Sequence, residues 1–309
     1  MLLSHEMPIA ELAAELDLAR QSGEADRVRE LEQRLVALRA ETYSSLTLAQ
    51  RLAICRHPQR PRSRAILQAI ATDMQELAGD RQFGEDCALI GALVTIGGRR
   101  VLVLAQERGH TTEQRIQSRF GMMNPEGYRK AVRLMDMAAK FDLPIITLID
   151  TPGAYAGLEA EERGQGWAIA RSLATMIQHP TPIVSLILGD GCSGGALGLA
   201  IADRLAILEN GYYSVISPEG CASILWRDPK KAVVAGEALQ LQAQDLLAAG
   251  LVDTILPEPE GGSHRDPQVV MKVIQAHLES VLSELESCSK EELLEARYQR
   301  HRYIGWQRD

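Results

Sequence analysis

Residues 187–198, ILGDGCSGGALG, carry spacings that suit three different chemistries. Gly189, Gly191 and Gly194 form G-x-G-x-x-G, the dinucleotide fingerprint, and Glu209 follows where a ribose-binding acid would stand. Gly191, Ser193 and Gly195 form G-x-S-x-G, the elbow that presents a nucleophilic serine. The third chemistry needs no side chain. A strand feeding a tight glycine turn leaves the first amides of the next helix without partners, and such amides hold a negative charge.

Each reading makes its own demand. A dinucleotide loop needs a helix after it, and GALGLAIAD is short. A serine nucleophile needs a histidine oriented by an acid. The histidines that follow Ser193 are His264, in the polar loop GGSHRDP, and His277 and His301, in helical tail patterns. Cys192 at a helix start could gain thiolate character, but without a base it reads as a packed thiol. Backbone amides at Gly194, Gly195 and Ala196 ask least of their surroundings, and two such donors make an oxyanion hole. Spacing alone leaves all three open.

The flanking pattern is that of a strand-and-helix protein. CALIGALVTI (87–96) and RVLVLAQ (100–106) predict a hairpin turned at Gly97-Gly98. PIITLID (144–150), PIVSLIL (182–188) and RLAILE (204–209) predict buried strands between helices. PIITLIDTPGAYAG and PIVSLILGDGCSGG share one frame, with Gly153 and Gly191 in matching places 38 residues apart, so the core is expected to repeat a strand–turn–helix unit. NPEGYRKA (124–131) and SPEGCASI (217–224) carry a capping residue, a proline and a first-turn glutamate; both predict helix starts.

Two seams in the first fifty residues, Ile9-Leu12-Leu16-Ala19 and Val28-Leu31-Leu35-Leu38, predict a helical hairpin broken near Gly23. HPQRPR (57–62) reads as a break. From Asp266 the pattern is helical again, with Val270, Ile274, His277 or Leu278, and Val281 on one face. The basic RYQRHRY (297–303) reads as solvated surface. Lys272 in VVMKVI reads as a surface lysine, since a biotinylated lysine sits on a β-turn and this one falls in a helical pattern. The expected division is a helical arm over 1–55, a core over 56–265 and C-terminal helices over 266–309.

Composition excludes several classes. Lys and Arg total 33 against 41 Asp and Glu, a net charge of −8 that argues against nonspecific nucleic-acid binding. The five cysteines form no C-x-x-C pair, so no zinc knuckle is expected and the thiols read as reduced. With acids in the opening segment and no long apolar run, the expectation is a cytoplasmic protein without a membrane span.

Longer blocks carry a resemblance. PIAELAAELD, HPQRPR, QELAGDRQFGEDCALIGALVTIGGRRV, RFGMMNPEGYRKAVRLM, PIITLIDTPGAY, AEERGQ, GCSGGALG, SVISPEGCASILW and ILPEPEGGSHRDP together resemble the alpha-subunit family of the bacterial and plastid acetyl-CoA carboxylase carboxyltransferase, from about Pro8 to the end. The resemblance implies an α/β crotonase-like fold, a spiral of ββα superturns with an N-terminal helical hairpin and C-terminal helices. It implies carboxyl transfer from carboxybiotin, on a biotin carboxyl carrier protein, to acetyl-CoA, giving malonyl-CoA for fatty acid synthesis within an ATP-dependent complex. The implied partners are a beta subunit in an alpha2beta2 heterotetramer, the carrier and biotin carboxylase. No covalently bound cofactor is expected on this chain, and zinc is expected only in the beta subunit. Carried onto this sequence, the catalytic amides are those of Gly194, Gly195 and Ala196, with Gly153, Ala154, Tyr155, Ser193 and Gly198 around the cleft. The chain departs from the family where Cys192 replaces glycine, Ala156 proline and Gly198 alanine, and where AQERGHTTEQR (105–115) is less lysine-rich.

Overall fold

The computed structural model describes residues 2–304. It opens with α1 (Met7–Ser22) and α2 (Ala25–Ser44), an antiparallel pair turned at Gly23, whose φ of 75° lets the chain reverse. Leu12, Leu16, Ala19 and Leu31 form their seam. α3 (Leu48–Cys55) is different in its packing: Leu48, Leu52 and Cys55 cluster with Cys192, Tyr212 and Leu241 of the sheet region. α4 (Ser63–Ile70) then leads into the sheet.

The sheet has eight strands: β1 (Thr72–Glu76), β2 (Leu89–Ile96), β3 (Arg99–Gln106), β4 (Ile145–Thr151), β5 (Ile183–Cys192), β6 (Arg204–Leu208), β7 (Tyr212–Ser214) and β8 (Thr254–Leu256). Its order is β1-β2-β3-β4-β5-β6-β8, with β7 paired to the far end of β5. β2 and β3 form the expected hairpin. Gly97 and Gly98 both take positive φ, 55° and 78°, as a two-residue type I′ turn requires. From β3 onward every pairing is parallel. The sequence echo is strand register as far as Ile149: Ile145 pairs Ile183 and Ile149 pairs Ile187, each partner 38 residues on, but the register then shifts, so that Gly191 pairs Thr151 and does not match Gly153.

Helices cover both faces. α5 (Thr112–Gln117) and α6 (Pro125–Lys140) follow the hairpin, and α7 (Leu158–Glu162) and α8 (Gln165–Ile177) separate β4 from β5. Tyr128, Leu134 and Met135 of α6 and Ala168 and Met176 of α8 pack on one face. α9 (Ser193–Leu197) follows β5, and α10 (Pro218–Trp226), α11 (Ala232–Ala238) and α12 (Ala243–Ala248) lie between β7 and β8. α13 (Pro267–Leu285) covers the opposite face with Val270, Ile274 and Leu278, joined by Ile66 and Leu67 of α4. α14 (Lys290–Arg302) closes the described chain. Both NPEG and SPEG begin helices, with proline in the first turn.

Two expectations change. The G-x-G of residues 189–191 is no loop, because β5 runs buried through Cys192. Glycine is required there for close approach: a Cβ on Gly191 would lie 2.9 Å from the Tyr212 carbonyl oxygen, and one on Gly189 3.0 Å from Asp150 Oδ1. The basic tail is not all solvated, because Arg297 is fully buried. Its guanidinium donates to both Asp203 carboxylate oxygens at 2.8 Å and to the carbonyls of Met176, His179 and Thr181. HPQRPR is the expected break, between α3 and α4, and within it Arg60 reaches inward to Glu258 and the Leu188 carbonyl, and Arg62 to Asp150. Lys272 is exposed on α13. No described helix is long and apolar enough to cross a membrane.

Candidate active site

The site forms where β4 and β5 end side by side. After Cys192 the chain turns through Ser193, a non-glycine residue at φ 59°, into the five-residue α9. No side chain caps that turn, so its first amides keep no side-chain acceptor. After β4 the chain turns at Gly153, whose φ of 147° suits glycine, braced by the Thr151 hydroxyl, which donates to the Gly153 carbonyl at 2.7 Å.

The two turns touch backbone to backbone. A Cβ added at Gly195 would lie 2.3 Å from the Gly153 carbonyl carbon and 2.5 Å from the Ala154 nitrogen. Gly153, Ala154 and Gly195 are therefore brought together, with Ala196 buried behind them. Ser193 and Gly194 face outward and line a cavity of about 510 Å³ with Leu197, Tyr213, Val215 and Leu246. Tyr155 sits beyond the first turn. Its amide donates to the Met123 carbonyl at 3.0 Å, and the Arg119 guanidinium stands 4.8 Å over its ring. Gly198 does not face this cavity. It is buried against Tyr128, whose Cε1 would lie 2.6 Å from an added Cβ, so alanine there would press on the ring.

Below the turns lies a buried charge network that spacing did not reveal. The Asp150 carboxylate meets Arg62 at 2.8 Å and Arg108 at 3.2 Å, and Arg108 also meets Asp190 at 3.0 Å. Burial pushes the Asp150 carboxyl up, but the Arg108 and Arg62 guanidiniums outweigh it and hold it below the usual range. Arg56 extends the network from Asp190 to Glu219 and the Tyr212 hydroxyl. Gln106, fully buried, links the two turns: its Nε2 donates to the Gly195 carbonyl at 2.8 Å and its Oε1 accepts the Asp150 amide at 3.2 Å. The signal for such groups was an acid inside an otherwise apolar strand, which must meet a cation or a donor.

The competing chemistries lose their parts. The fingerprint's first two glycines belong to a buried strand. His264 stacks on His57, ring centroids 3.6 Å apart, with neither of its ring nitrogens hydrogen-bonded. Burial and the neighbouring His57 push its pKa down to about 4. His277 Nε2 is buried without a partner and His301 Nε2 faces the Ala202 carbonyl, so none of the three orients Ser193. The Cys192 thiol is pushed up to about 12 by burial and then by Asp190, the reverse of an activated thiolate. Among the described residues no group of three or more His, Cys, Asp or Glu is placed to hold a metal ion.

Comparison with known proteins follows the same line. Residues 2–305 match the family described as acetyl co-enzyme A carboxylase carboxyltransferase-like. An acetyl-coenzyme A carboxylase carboxyl transferase subunit alpha from Protochlamydia amoebophila is 50% identical over 309 residues, covering 98% of each chain. One from Thermus thermophilus is 48% identical, covering 99% of this chain and 98% of its own. Among solved structures, a Pseudomonas malonate decarboxylase hetero-tetramer with coenzyme A overlays with a TM-score of 0.59 at 18% identity, covering 76% of this chain and 93% of that one. The beta subunit of P. aeruginosa geranyl-CoA carboxylase gives 0.58 at 18% identity, over 78% of this chain and 46% of that one. At that identity the overlays speak for the fold, which is the crotonase type expected from the sequence.

Proposed function

This chain belongs to the acetyl-CoA carboxylase carboxyltransferase family, and we propose that its glycine turn is the biotin-side half of a carboxyl-transfer site completed by a beta subunit. The chain is a carboxyl transferase subunit of acetyl-CoA carboxylase, as its relatives are named, acting in malonyl-CoA formation from acetyl-CoA. The partner assignment extends this to an alpha2beta2 heterotetramer, served by a biotin carboxyl carrier protein and a biotin carboxylase, with zinc confined to the beta subunit.

Carboxybiotin on its carrier supplies the transferable carboxyl group and, once that is released, a ureido nitrogen that takes the α-proton of acetyl-CoA. The residues of this chain have correspondingly little proton chemistry to do. The Gly194 and Gly195 amides hold the ureido oxygen, on which negative charge develops, while the Ala196 amide closes the first turn of α9 on the Cys192 carbonyl; an oxyanion donor of this kind contributes about 3 kcal/mol. Gly153 and Ala154 fix where those amides stand. Ser193 and Gly194 open the turn to the cavity, to which Leu197, Val215 and Leu246 contribute apolar surface. A site without an oriented histidine suits this chemistry, because the substrate carries its own base.

The observation that carries the reading is the uncapped first turn of α9, packed on the Gly153–Ala154 turn and open to a cavity at Ser193 and Gly194. Gly194→Trp tests it. An added Cβ there meets only Ile169, at 3.5 Å, so the fold has room while the indole occludes the turn. The variant is expected to co-purify with the beta subunit and lose carboxyl transfer at least about 100-fold. Full transfer by an assembled variant would remove the glycine turn from the mechanism.

A further inference from the structure

The Gly195 carbonyl stands outside the helical ladder. A continuing α-helix would give it the Leu199 amide, but α9 is too short, and Leu199 donates to the Ala196 carbonyl at 3.0 Å. A buried carbonyl without a donor is costly. Two side chains from other elements supply the donors: Gln106 Nε2 at 2.8 Å and the Tyr128 hydroxyl at 3.3 Å. The Ala196 N–H makes the first bond within α9, to the Cys192 carbonyl, so holding the Gly195 oxygen fixes the turn whose Gly194 and Gly195 amides precede that bond.

Gln106 is held at its other end too. Its Oε1 accepts the amide of Asp150, whose carboxylate Arg62 and Arg108 grip from the far side. One carboxamide thus spans the end of β4 and the first turn of α9. We propose that Gln106 is a positioning residue for carboxyl transfer: with Tyr128 as second donor, it anchors the Gly195 carbonyl and so holds the first turn of α9, with its unpaired Gly194 and Gly195 amides, in the orientation the oxyanion needs. The inference rests on the reading of the glycine turn as the oxyanion site. The role requires a donor and an acceptor on one planar group, which glutamate lacks when ionised and leucine lacks altogether. Burial, with Asp86 adding to it, pushes the Tyr128 phenol well above its usual value, so its hydroxyl stays protonated and remains a donor.

The test uses the full chain with its beta subunit and reads two quantities. Hydrogen exchange at residues 193–198 reports the peptide directly, and steady-state kinetics report its consequence. In Gln106→Glu the exchange of the Gly194–Ala196 amides is expected to rise about tenfold. With it, kcat falls about 10- to 100-fold while the KM for acetyl-CoA stays within about twofold. Lowering the pH from 8 to 6 recovers part of that kcat relative to wild type, since a protonated glutamic acid regains a donor. Tyr128→Phe, which keeps the ring beside Gly198, loses about 3- to 10-fold in kcat. Unchanged exchange in a folded Gln106→Glu chain overturns the proposal, as does a loss confined to KM. Should that variant fail to fold, Tyr128→Phe decides, and wild-type exchange and kcat in it count against the proposal. A wild-type pair that transfers no carboxyl group sinks the oxyanion reading alone, and the exchange result still shows whether Gln106 fixes the peptide.

Discussion

Replacing Gly195 by alanine forces two buried backbones apart. The new methyl would lie 2.3 Å from the Gly153 carbonyl carbon and 2.5 Å from the Ala154 nitrogen. Ordinary carbon contacts begin about 1 Å farther out, and neither opposing atom belongs to a side chain that could rotate away. Gly195 has no retreat either, because Gln106 and Tyr128 hold its carbonyl. The turns must therefore separate by about 1 Å. Overpacking of this kind costs about 1–3 kcal/mol of stability, and a misplacement of about 1 Å at a reacting centre costs about 100-fold in rate. Urea denaturation of the purified chain measures the first, and turnover of the reconstituted alpha–beta pair the second. Gly194→Ala is the stability control: its methyl meets Ile169 at 3.5 Å, an ordinary contact, and is expected to shift stability by less than about 0.5 kcal/mol. A Gly195→Ala chain as stable and as active as wild type would refute the packing of the two turns and the mechanism built on it.

Arg297→Met leaves the Asp203 carboxylate buried without its cation and takes a donor from three carbonyls, of which Met176 keeps the His179 amide, and is expected to cost about 3–5 kcal/mol by urea denaturation. A shift under about 1 kcal/mol would contradict the buried clamp. Burial, despite amides donated by Ala88 and Asn124, pushes the Asp86 carboxyl up to about 6. Its folded value lies above the ordinary 3.8, so the folded chain keeps a proton the unfolded chain releases, and stability falls as pH rises from about 4 to 6. Asp86→Asn is expected to remove that component, about 3 kcal/mol across the window for a shift of about two units. A pH–stability curve identical to wild type would show that Asp86 does not titrate there.

What the sequence disclosed was local or repeated. Gly97-Gly98 set the hairpin because both residues need positive φ. The 38-residue echo placed β4 beside β5, because one superturn of this fold has that length, and so brought Gly153 near the second glycine turn. β1, β7 and β8 escaped notice: β1 is a polar edge strand, and the other two are three residues long, too short for periodicity to register. Gly189 and Gly191 suggested a loop because a glycine run signals a turn locally. Their reason for being glycine is the Tyr212 backbone and the Asp150 side chain, which arrive from far along the chain. Long-range partners also explain the inward Arg60, Arg62 and Arg297, which charge patterning assigns to breaks and surfaces. Gln106 ends an apolar strand, and nothing in its neighbours announces that it reaches a glycine carbonyl 89 residues on.

The most direct test of the whole account is reconstitution. The purified chain, the beta subunit and the two combined are each supplied with carboxybiotin on its carrier protein and with acetyl-CoA, and malonyl-CoA is measured. The expected result is that either subunit alone is inert and that the combined pair forms malonyl-CoA at a rate proportional to the assembled complex. Malonyl-CoA formation by the beta subunit at the same rate without this chain, or none by the assembled pair, would contradict it.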